Sequence, residues 1–143
     1  MGGASYNERL LETRPMQISQ LTLVVRDYDE AVAWFTRSLG FELIEDTDLG
    51  DGKRWVVVGA RGDKGARLRL ARAATPEQQS HIGNQTGGSV FLFLYTDKFD
   101  CDYGALKSQG ANFVGEPRRE RYGKVVVFKD LYGNRWDFVE RRP

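Results

Sequence analysis

Residues 19–41 read SQLTLVVRDYDEAVAWFTRSLGF, and this stretch decides the fold. Its first third alternates as a half-buried strand does, with Leu21, Leu23 and Val25 on one side and Gln20, Thr22 and Val24 on the other. Asp27 or Asp29 can cap a following helix by accepting from its free N–H groups. Ala31, Val32, Trp34, Phe35 and Leu39 give that helix an apolar face, Gly40 stops it, and Phe41 opens a new strand.

Outward from this unit, strands are expected at Phe41 to Ile44, Arg54 to Val58 and Ala66 to Ala71. In the last of these the alternation is strict, so Leu68 and Leu70 face the helix layer while Arg67 and Arg69 share the opposite face. A polar linker with a short helix beginning at Thr75-Pro76-Glu77 follows. Then the order repeats: a strand at Val90 to Tyr95, a helix at Asp100 to Ser108, a stop at Gly110, and strands at Asn112 to Val114, Lys124 to Phe128 and Arg135 to Glu140. Asp27 and Gly40 are matched by Asp97 and Gly110 at one offset of 70 residues, which also lays Arg54 to Val58 on Lys124 to Phe128. The expected fold is α+β, with two βαβββ modules forming a curved mixed sheet around a cleft. Module one spans residues 16–72, the linker 73–87 and module two 88–141. Residues 1–15 form an N-terminal extension that Leu10 and Leu11 could dock.

The composition narrows the function. A chain of 143 residues with 41% hydrophobic and 29% charged residues supports a single folded domain. A net charge of +1 gives no overall field to attract nucleic acid, and no run of about 18 apolar residues marks a membrane span. The single cysteine, Cys101, cannot form an internal disulfide, and residues 1–15 lack the apolar core of a secretory signal, so a cytoplasmic location is expected. The glycine-rich turns lack the spacing of a phosphate loop.

The duplicated unit resembles the vicinal oxygen chelate superfamily, the group of glyoxalases, bleomycin-resistance proteins and extradiol dioxygenases. Asp27 through Leu39-Gly40-Phe41 carry the resemblance in the first half. In the second half Asp130-Leu131-Tyr132-Gly133-Asn134 is similar to the group's Asp-Pro-x-Gly-Asn turn, with Leu131 in place of proline. The resemblance implies that enzymes of the group hold a divalent metal with inward residues on the first and last strands of each module. Carried over, those positions fall on Gln20, on Arg69 or Arg67, on Phe91 or Ser89, and on Asp137. Glutamine and aspartate can ligate a metal, whereas a guanidinium has no lone pair to give. The remaining donor to consider is His81, the only histidine, in the linker.

The expectation is therefore a cleft without a metal or other cofactor that binds a small, partly aromatic or anionic molecule. Arg67 or Arg69 would pair with Asp137, which would lower the pKa of Asp137 and make it a weak base. Gln20 would orient the ligand, and Phe91, Phe93 and Tyr95 would stack on it. The alternative is a divalent-metal-dependent lyase or dioxygenase using Gln20, Asp137 and His81. A third reading has Asp137 as base and Arg69 as electrophilic partner. A homodimer is expected, with no nucleic-acid or membrane partner. The plainer readings are that Arg67 and Arg69 lie on a solvated edge strand, that Phe91 and Phe93 are core, that Pro117 to Arg121 is a solvated loop, and that Trp34, Trp55 and Trp136 are core or interface.

Overall fold

In the computed structural model the described residues are 3, 5, 7, 8, 13–62 and 64–142; Leu10 and Leu11 lie outside them. Among the described residues from 20 to 140, eight strands and three helices follow in the expected order: β1 (Gln20–Val25), α1 (Tyr28–Ser38), β2 (Glu42–Gly50), β3 (Lys53–Gly59), β4 (Arg67–Arg72), α2 (Pro76–Ser80), β5 (Leu92–Thr96), α3 (Phe99–Ser108), β6 (Asn112–Glu120), β7 (Gly123–Lys129) and β8 (Arg135–Glu140). The strands form two four-stranded mixed sheets, ordered β1-β4-β3-β2 and β5-β8-β7-β6. In each, the first strand runs parallel to the fourth and the other pairings are antiparallel.

Local chemistry explains the opening unit. Asp27 caps α1, its carboxylate accepting from the Glu30 N–H at 2.8 Å. At the far end Gly40 takes φ +68°, a left-handed turn that glycine adopts without strain, and the Phe41 N–H reaches back to the Phe35 carbonyl. Ala31 and Phe35 are buried on the sheet, against Leu23, Val25, Leu68 and Leu70.

The helix-side faces of the two sheets share one core. Phe35 of α1 and Phe41 lie 6.0 and 6.2 Å, centroid to centroid, from Trp136 of β8, and Phe128 and Phe138 continue the aromatic cluster. The linker is pinned at the same seam. Gln85 donates from its N–H to the Asn134 side chain, and its amide oxygen accepts from the Val24 N–H. Gly83 packs so closely that a Cβ there would lie 2.0 Å from the Tyr132 carbonyl oxygen. β2 and β6 run well beyond the short strands expected at Phe41 and Asn112, because pairing with β3 and β7 extends them through polar sequence, with two register shifts in the first ladder and one in the second.

Candidate functional site

Residues in direct register on neighbouring strands project from the same face of a sheet. In the first sheet Thr22, Arg69 and Val57 align, and Gln20 aligns with Arg67 one step away. This face is opposite the helices, since Leu68 and Leu70 are buried beneath while Arg67 and Arg69 are half-buried. The Arg69 guanidinium lies over the Trp55 ring, 4.9 Å from its centroid. β4 sits between β1 and β3, so the two arginines are not on an edge strand. Register also settles which arginine corresponds to Asp137. Arg69 aligns with Val57, and Asp137 aligns with Val127, its counterpart at the offset of 70 residues.

In the second sheet one row reads Phe93, Asp137, Val127, Val114 and the next Tyr95, Val139, Val125, Arg118. Phe93 is 59% exposed and Tyr95 51%, unusual for large apolar side chains at strand centres. Asp137, between Phe93 and Val127, is only 9% exposed, and its Oδ1 has no hydrogen-bond partner. Burial holds its carboxyl above the ordinary carboxylate range, opposed only weakly by the charge of Arg118. Arg118 is committed elsewhere, donating from Nε to Glu120 at 2.8 Å.

Several expected site contacts are corrected here. Asp137 makes no ion pair with Arg67 or Arg69 in this chain, and its pKa is raised where a paired aspartate would be lowered. The physical reason is that the helix-side faces converge on the shared core, so the faces carrying Arg69 and Asp137 turn away from it and from each other. Phe91 precedes β5 and does not continue its alternation. It packs against the core, edge-on to Trp136 at 6.3 Å, while Phe93 and Tyr95 stand out from the sheet. Trp55 is half-buried beneath Arg69 and is not core. Arg118 belongs to β6 and not to a loop; the Arg-Arg-Glu-Arg run hid a strand whose ladder, not its composition, defines it. Gln20 is exposed on the first face. His81 is the exposed C-cap residue of α2.

A cavity of about 880 Å³ lies along the seam between the modules, lined by Leu21, Leu68, Leu92, Leu94 and Trp136, with Arg61 and Lys64 at its rim. Gln20, Arg67, Arg69 and Asp137 do not line it, whereas Phe93 and Tyr95 do. It presents no buried orphan group, so the chemistry points instead to the outward face of the second sheet.

Comparison with known proteins agrees with this geometry. The glyoxalase/bleomycin resistance protein/dioxygenase superfamily pattern matches residues 17–138. The chain belongs to this superfamily. It is 52% identical to an uncharacterized protein of Shewanella frigidimarina over 86% of this chain and 92% of the relative, and 31% identical to the uncharacterized Bacillus subtilis protein YetH over 82% and 92%. Among solved structures it is similar to UcmS2, with 28% identity, TM-score 0.75 and coverage of 88% and 98%. It is also similar to TnmS3, an antibiotic binding protein from a Streptomyces, with 25% identity, TM-score 0.70 and coverage of 90% and 98%.

The superfamily's enzymes imply a divalent metal, and the residues at the matching positions do not suit one. Gln20 and Asp137 are on faces that turn apart, Arg69 brings a positive charge, and Phe91 brings no donor. Among the described residues no group of three or more His, Cys, Asp or Glu side chains converges.

Proposed function

We propose that this superfamily member binds and holds a small, partly aromatic molecule on the outward face of its second sheet, in a cleft organised without a metal. The observation that carries the reading is the pair of exposed aromatics, Phe93 and Tyr95, beside the buried and unpartnered Asp137. Exposed strand aromatics offer stacking surface at small entropic cost, and a polar anchor among apolar walls is how small-molecule sites fix orientation. The similarity to an antibiotic binding protein at 25% identity supports a binding role over a catalytic one.

In this reading the protein is a homodimer with the cleft near the pairing surface. Sedimentation velocity then gives a dimer at micromolar concentration. The reading is tested by equilibrium dialysis against ethylnaphthalene, a neutral flat probe. Wild type binds it, and replacing both Phe93→Ala and Tyr95→Ala weakens binding about tenfold or more, since stacking contributes roughly 1 kcal/mol per aromatic pair. Unchanged affinity in a folded double variant contradicts the reading.

A further inference from the structure

Resting on the reading of this face as a small-molecule cleft, we propose that Asp137 selects ligands bearing a cationic nitrogen, a protonated amine or amidinium on an aromatic body, and disfavours acids. This reverses the expectation of an anionic ligand that the arginines raise from sequence.

Three features of the geometry lead here. First, Asp137 is nine-tenths buried with Oδ1 unpaired, whereas Asp130, the other buried aspartate, is fully engaged. Asp130 accepts from the N–H groups of Tyr132 and Asn134, from Asn134 Nδ2 and from Trp136 Nε1. A buried carboxylate with an unmet acceptor is costly to the folded chain and persists where something outside the chain completes it.

Second, Arg118, whose charge reaches Asp137, is engaged elsewhere, Lys129 and Arg135 stand one row away on the same face, and Arg69 is on the other sheet. Arg118 donates to Glu120, and Arg69 lies over Trp55 on the other sheet's outward face. An incoming N–H group therefore meets an acceptor that no hydrogen bond of this chain occupies. A ligand carboxylate would meet the negative charge of Asp137 with no arginine free on the same row.

Third, the walls suit a cation on an aromatic frame. Phe93 is Asp137's direct partner on β5 and Tyr95 stands one row on, and both present ring faces that attract positive charge as well as apolar surface. Phe93 is more than half exposed, so its ring can swing to admit a donor to the carboxylate. Val127, Val139 and Val125 form the apolar floor, which strengthens a charge-assisted hydrogen bond by excluding water.

The test compares three probes of one shape, measured by equilibrium dialysis on the full chain: ethylnaphthalene, naphthylmethylamine as the cation and naphthylacetate as the anion. Wild type is expected to bind the amine about tenfold more tightly than the neutral probe and the acetate more weakly than either. Asp137→Asn, which keeps the shape, is expected to remove the amine's advantage while leaving the neutral probe's affinity unchanged. Arg118→Gln is expected to leave the order of the three intact. If the neutral probe binds but the amine binds no tighter, or the acetate binds best, the inference is overturned and the cleft reading stands. If Asp137→Asn weakens all three probes equally, Asp137 is structural and the inference is overturned. If no probe binds wild type, the cleft reading falls and the inference falls with it.

Discussion

Asp137 shapes the behaviour of the free protein as well as its ligand choice. Its folded pKa lies above the ordinary value of 3.8 because burial disfavours the charged form, so between those two pH values the folded chain holds more protons than the unfolded one. Stability therefore falls as pH rises through that window, and the cost is fully present above the folded value. Tyr95, Arg118, Glu120, Lys129 and Arg135 share its face by register, and the charge of Arg118 opposes the effect of burial. Asp137→Asn is expected to raise the thermal midpoint at pH 7, with the gain shrinking as pH falls toward 4; calorimetry across that range checks it, and a lower midpoint at pH 7 counts against the account. Much at this scale was legible in sequence. Strict alternation separated Leu68 and Leu70 from Arg67 and Arg69, and it put Phe93, Tyr95 and Asp137 on strand faces. The missing Arg69–Asp137 pair was not legible, because it depends on how two sheets pack and no local period encodes that.

At the scale of elements, the two modules are held by a clasp between α1 and the turn before β8. The Tyr132 hydroxyl donates to Glu30 at 2.8 Å, Arg26 pairs with the same carboxylate, and the Arg26 guanidinium lies 5.8 Å from the Tyr132 ring centroid. Burial and the Glu30 contact push the Tyr132 phenol up to about 12, and Arg26 followed by Tyr132 hold the Glu30 carboxyl below its ordinary range. The lowered Glu30 value means its contribution is complete above about 4.5, the unfolded value, and is lost as pH falls through the folded one. Tyr132→Phe is expected to cost about 1 kcal/mol in urea unfolding at pH 7. That deficit narrows on acidification below pH 4.5, and an unchanged deficit there would show that the clasp does not depend on ionised Glu30. Sequence placed the Asp130 to Asn134 turn and narrowed the helix cap to Asp27 or Asp29, because such side chains bond to nearby backbone; the structure settles on Asp27. It underestimated β2 and β6, whose length comes from ladders with β3 and β7 rather than from apolar pattern. The clasp was invisible for a related reason, since Glu30 and Tyr132 are 102 residues apart.

For the whole molecule, duplication predicted two equal modules around a cleft, and each module does fold into its own four-stranded mixed sheet. What the repeat did not reveal is that the helix-side faces of these sheets share one core through Phe35, Phe41 and Trp136, leaving their opposite faces outward. That arrangement separates Gln20 from Asp137 within one chain, and Arg69 and Phe91 hold the remaining positions, a donor set that does not suit a metal. The central claim is a binding cleft that works without a metal. Its most direct test is the affinity of naphthylmethylamine for protein dialysed against EDTA, measured before and after adding back magnesium, manganese, nickel or zinc. The account predicts one unchanged affinity throughout; binding lost on chelation and restored by a divalent ion would contradict it.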